Sequence, residues 1–309
     1  MEKLRTLVEL FPHSLVAGAL IAAFCAWLGV FVILKRMVFI GVALSEAAAF
    51  GIALAMLCGF SPFLGATLVT LAFGLGLSRP YATGRLPRDA VLGALFVTAG
   101  AGSILLVSRA GLGLAEVKSL LYGDLILTRH GDLLAVAAVL VPLAIGAMLF
   151  RRPVLYTFLD REAAFLLGIR TSFWEMLFFS ALALAVAASA RVAGSMLVFA
   201  YLVAAPAAGL LLSRRLRVVI LVAVSIAVAA TLTGLYLALA WDLPGNPLII
   251  VLLALCLLAA AVATALRRRP QSGKIFHHGL HSGRPESMVI SDPGNRVRPK
   301  KPDCRGEQP

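Results

Sequence analysis

Few residues in this 309-residue chain could do chemistry, and the most informative stands among apolar neighbours. Glu46 lies inside the run from about Ile40 to Leu57, roughly six residues or ~9 Å of helix rise from its start. An ionisable group inside a membrane helix costs about 2.5–3.5 kcal/mol on insertion scales and by default marks a functional site. The alternative is a structural carboxylate, protonated or hydrogen-bonded to a neighbouring helix. A second candidate is the stretch Asp160-Arg161-Glu162-Ala163-Ala164-Phe165-Leu166-Leu167-Gly168. Acids near its start and glycine at its end fit a short capped helix lying across the cytoplasmic face. It could dock a soluble partner, or simply connect two spans. Arg191, just before Gly194, could line an outer vestibule or snorkel to the headgroups. Asp124 and Asp132 read as solvated carboxylates at the outer boundary. His277, His278 and His281 cluster near the C-terminus, where histidine-rich tracts can bind metal, although three in a polar tail are weak evidence.

Some chemistry is missing. No G-x-x-x-x-G-K-[ST] phosphate loop occurs, so any ATP hydrolysis must sit on another subunit. No H-E-x-x-H motif or nucleophile–base arrangement is visible, which argues against an enzyme. The four cysteines, Cys25, Cys58, Cys256 and Cys304, show no C-x-x-C spacing and imply no disulfide framework.

The elements that must position Glu46 are membrane helices. The chain is 61% hydrophobic and only 14% charged, with a mean hydropathy of +0.95, and its apolar residues fall in runs of bilayer-spanning length. We expect an all-α polytopic fold with about nine spans: Ser14–Leu34, Ile40–Leu57, Phe63–Ser78, Ala90–Val107, Leu133–Phe150, Phe173–Ala190, Ser195–Leu212, Val218–Ala240 and Leu248–Leu266. Eight remain possible if one run is re-entrant. The polar stretch Arg109 to Gly131 reads as a loop with a short interfacial or re-entrant helix. The net charge of +13 does not point to nucleic acid, because Lys and Arg gather at span ends and in the tail. If Arg151 to Ser172 is cytoplasmic, so are Lys35-Arg36, Arg79 to Arg88, Arg214 to Arg217 and Arg267 to Arg269, in agreement with the positive-inside rule. The N-terminus is then outside. Residues 1–268 make a transmembrane domain, and residues 269–309 are too polar to fold, so a disordered basic cytoplasmic tail is expected.

Several segments resemble the permease subunits of the ABC-3 family, the importers of zinc, manganese and iron. Gly29-Val30-Phe31-Val32-Ile33-Leu34-Lys35-Arg36-Met37 is similar to that family's G-V-F-x-x-L-[KR]-R-M pattern. Ala43-Leu44-Ser45 with Gly51-Ile52-Ala53-Leu54 resembles its A-L-S-H-x-x-x-x-G-x-A-L segment. Asp160 to Gly168 resembles its coupling segment, and Val192-Ala193-Gly194-Ser195-Met196-Leu197-Val198 with Ala205-Pro206-Ala207-Ala208 resembles its late V-x-G-x-L-L-V…P-A-A signature. Leu243-Pro244-Gly245 stands near the family's outer P-x-G turn. The resemblance covers about Leu15 to Leu266 in the right order.

It implies an importer of a divalent metal ion in a bacterial inner membrane, with the ion as cargo and no permanently bound cofactor. A paired permease, expected as a homodimer, would form the pathway in the lipid. ABC ATPase subunits would dock beneath at Asp160, Glu162, Ala164 and Gly168, and an extracytoplasmic binding protein would deliver the ion. One departure stands out. Family members commonly place Asp and His four residues apart on the second span as metal ligands, where this chain has Val42 and Glu46. Phe50 replaces the usual proline or small residue four further on. The expected pathway residues are therefore Glu46, as the metal ligand, with Ser45, Val42 and Arg191. A permease for a metal chelate, or a secondary transporter that needs no ATPase, are the competing readings.

Overall fold

A computed structural model of the chain describes residues 11–78, 88–109, 123, 125–150, 157 and 170–267. The chain divides into two units, residues 1–268 and 269–309, and residues 269–309 lie outside the described set, as do Asp160 to Gly168 and the tail histidines. Nine helices are found among the described residues: α1 Pro12–Leu34, α2 Phe39–Cys58, α3 Pro62–Ser78, α4 Arg88–Arg109, α5 His130–Leu149, α6 Thr171–Ala193, α7 Ser195–Leu212, α8 Leu216–Trp241 and α9 Gly245–Arg267. Eight are long and apolar enough to cross a bilayer, and α3 is shorter, at 17 residues. At 1.5 Å per residue α3 is ~26 Å long, which still reaches most of the way across about 30 Å of hydrocarbon. We name the two ends of the bundle outer and inner according to the basic-residue distribution.

In lipid the apolar faces gain little from meeting each other, so helices associate where small residues let backbones approach. Here those places fix the register. Gly51 of α2 and Gly65 of α3 face each other so closely that a Cβ on either would strike the other's carbonyl. Gly29 of α1 meets the Leu202 backbone of α7 in the same way. Between these contacts lies one continuous core, with Ile21, Cys25 and Leu28 of α1, Leu44 of α2, Leu182 and Val186 of α6, and Tyr201 of α7. Helices α1, α2 and α6 are thus mostly interior, whereas α4, α5 and α9 direct most of their surface outward.

Polar contacts tie the bundle at both ends and in the middle. At the inner end Lys35 Nζ contacts Glu175 Oε1 at 2.6 Å, and the same ammonium stands 5.3 Å from the centre of the Phe179 ring. This joins the end of α1 to the first turns of α6, the helix that leaves the Asp160 segment. In the interior the Tyr201 and Thr231 hydroxyls are 2.5 Å apart, and Thr231 also donates to the Ala227 carbonyl at 2.8 Å. At the outer end Ser14 Oγ donates to the Ile126 carbonyl at 2.8 Å.

Candidate functional site

Glu46 is held on the second turn of α2, and its side chain turns into the bundle with 7% of its surface exposed. Ser195 Oγ donates to its Oε1 at 3.3 Å. On the other side it faces α4, where a Cβ at Gly100 would lie 3.4 Å from Oε2. A glycine at that position leaves space beside the carboxylate that a larger side chain would fill. Val42, one helical turn earlier on the same face, is half-buried. Ser45 is buried, and its hydroxyl has no hydrogen-bond partner among the described residues.

The partner of Glu46 comes from an unusual element. Sequence patterning predicts two spans separated by a short outer turn near Arg191. In the structure α6 and α7 are parted by Gly194 alone, at φ 77° and ψ 156°, and the break is buried. Ser189, one turn before it, accepts from Cys25 Sγ at 3.7 Å in the middle of α1. The chain therefore turns inside the bundle, where the carbonyls ending α6 and the N–H groups opening α7 must find partners. Asn246, buried in the first turn of α9, donates from Nδ2 to the Ala193 carbonyl at 3.0 Å. At the other helix end Ser195, the first residue of α7, meets Glu46. The positive end of the α7 dipole thus lies beside the carboxylate, a placement that suits a negative group.

Above the break lies a cleft of about 610 Å³, lined by the Leu243-Pro244-Gly245 turn, Gly123, Ile126 and Asn246. Its floor includes the two residues that touch the break, because a Cβ on Gly123 would run into the Gly194 backbone. Leu125, fully buried, packs against Gly18, and its N–H donates to Asn246 Oδ1 at 3.4 Å. The end of the polar loop read from sequence as interfacial or re-entrant therefore inserts between helices. Arg191 is engaged elsewhere: its Nη2 contacts Asp132 Oδ1 at 3.0 Å, linking the last turn of α6 to the first turn of α5. The structure brings together Glu46, Ser45 and Val42 on one helix and places Arg191 in an ion pair. It adds Ser195, Gly100 and Asn246, which the sequence reading did not select as site residues.

Residues 8–264 match the ABC 3 transport family. The chain belongs to that family. The manganese transport system membrane protein MntC of Halalkalibacterium halodurans is 29% identical over 250 residues, covering 81% of this chain and 85% of the relative. The chelated iron transport system membrane protein YfeC of Yersinia pestis is 28% identical over 243 residues, 79% of this chain and 82% of its own. The fold also matches a solved structure, PsaBC from Streptococcus pneumoniae in complex with Fab, with a TM-score of 0.75 and 20% identity over 84% of this chain and 94% of that one. The polytopic all-α architecture expected from the apolar runs is the one found among the described residues.

Proposed function

We propose that this chain is the permease subunit of an ATP-driven importer that carries a divalent metal ion inward across a bacterial inner membrane. The observation that carries this reading is the carboxylate of Glu46, buried at a helix break and bonded to Ser195. Such a site can strip part of an ion's hydration shell while binding weakly enough to release it. Carboxylate and hydroxyl oxygens suit manganese or iron(II) better than zinc, for which imidazole is the stronger ligand. The names of the relatives, one a manganese and one a chelated-iron system, support the same class of cargo. ATP would be hydrolysed on a separate subunit docked at Asp160, Glu162, Ala164 and Gly168. An extracytoplasmic binding protein would load the outer cleft, and two copies of the chain would enclose the path.

The test is elemental analysis of cells expressing the complete transporter, with manganese, iron and zinc supplied separately. One metal should accumulate in the wild type and not in Glu46→Gln, with assembly of the complex unchanged. Normal uptake by Glu46→Gln would make the carboxylate structural and overturn the site. A second reading, transport of a metal chelate, is favoured by Val42 at the position where the family commonly has a metal-ligating aspartate. It predicts that accumulation appears only when the metal is offered with its chelator.

A further inference from the structure

The chain contains five histidines, and three lie in the tail. The other two, His13 and His130, are 117 positions apart, yet their rings meet at the outer end with centroids 5.1 Å apart and planes at 83°. His13 belongs to the first turn of α1 and is half-buried, while His130 opens α5 and is exposed. No hydrophobic requirement brings imidazoles together at a wet rim.

We propose that His13 and His130 form a binding site for a divalent cation that favours imidazole, of the Zn²⁺ or Ni²⁺ type. A metal–nitrogen bond is about 2.0–2.1 Å, so two imidazoles on one tetrahedral ion have ring centres roughly 5 Å apart. The observed 5.1 Å separation falls at that value, and the 83° between the planes is compatible with two ligands converging from different helices. Among the described residues no third His, Cys, Asp or Glu joins them, and the nearby Asp132 is committed to Arg191. Water would fill the remaining positions, giving an open, exchangeable site. Its preference is opposite to that of Glu46, because two neutral nitrogens select borderline-soft ions over manganese.

Position gives the site a consequence. It bridges the start of α1 to the start of α5, and Ser14 next to His13 already holds the Ile126 carbonyl. A cation bound there would pin residues 125–130 to α1, and this segment follows Gly123, which lies against the helix break. The rim site would thus sense a zinc-like ion and stiffen the outer cover of the pathway.

Full-length protein in lipid nanodiscs, titrated calorimetrically with ZnCl₂, tests the proposal. The wild type and Glu46→Gln should each show a site that His13→Gln and His130→Gln weaken at least tenfold, and saturating Mn²⁺ should not displace it. His130→Cys, which keeps a zinc-favouring ligand, should retain binding that His130→Gln loses. Metal-free melting curves of the variants should match the wild type, so that lost binding is not lost folding. Superimposable zinc titrations for wild type and both glutamine variants would overturn the proposal and assign all binding to the tail histidines or Glu46. Loss of the rim signal in Glu46→Gln alone would equally overturn it, since it would place the ion at the buried carboxylate.

Discussion

Gly194→Ala tests whether the helix break has to be where it is. At φ 77° and ψ 156° the residue occupies a region essentially reserved for glycine, and forcing an L side chain there costs about 1–3 kcal/mol. Gly93, on α4, supplies the matched control, because a Cβ there would meet nothing within 4 Å. An alanine at that helical position should stabilise by about 0.5–1 kcal/mol. The two identical chemical changes should thus differ by roughly 1.5–4 kcal/mol, a ten- to several-hundred-fold difference in the opening equilibrium. Cys25 reports it directly: it is fully buried and contacts Ser189, one turn from the break. In a background carrying Cys58→Ser, Cys256→Ser and Cys304→Ser, the rate of maleimide labelling tracks the population of the open state. Gly194→Ala should label faster than the parent and Gly93→Ala no faster. Equal rates for the two variants would refute the argument that the break needs a left-handed residue.

The same thiol assay checks three further expectations. Lys35 and Glu175 have side chains only 16% and 12% exposed, so Lys35→Met or Glu175→Met alone should destabilise by about 2–3 kcal/mol through the charge left behind, while the double methionine variant should recover most of it; a double variant as weak as the singles would show that the ion pair itself is required. Tyr201→Phe removes a buried hydroxyl contact to Thr231 and should cost about 1–2 kcal/mol, whereas no change in labelling would mean that Thr231 is satisfied by Ala227 alone. Disrupting Arg191 and Asp132, whose side chains are 36% and 28% exposed, should show a coupling below about 1 kcal/mol in a double-mutant cycle. Metal uptake, rather than labelling, should respond to Ser195→Ala, with a fall of roughly tenfold if its hydroxyl helps hold the Glu46 carboxylate in place.

The helices were legible because a bilayer demands long apolar runs, and such runs survive any reading frame of periodicity. Glu46 was legible for the complementary reason, as a charge inside one of them. Its partner was not. Serine is ordinary in membrane helices, and nothing in the local sequence says that Ser195 meets a residue 149 positions earlier. Gly194 was visible as a span boundary, but a lone glycine between two apolar runs carries no information about depth, so a buried break and a surface turn read alike. Glu175 escaped notice because it falls at a span end, where charges are expected, and only the structure pairs it with Lys35. His13 and His130, 117 positions apart, share no short-range pattern that would pair them. The coupling surface expected at Asp160, Glu162, Ala164 and Gly168 lies outside the described residues.

The hydrogen bond from Asn246 to the Ala193 carbonyl spans 53 positions of the chain, and it bears on how the protein is made. Helices α6 and α7 leave the ribosome before α9 exists, so the break enters the membrane with the carbonyls that end α6 lacking this partner. Until α9 arrives, those groups must be covered by water, by lipid headgroups or by the insertion machinery. The last of the described helices to be synthesised is therefore the one that closes the break. A chain stopped after α8 would hold Val42, Ser45, Glu46, Arg191 and Ser195 and still lack the Asn246 contact that closes the break beside them.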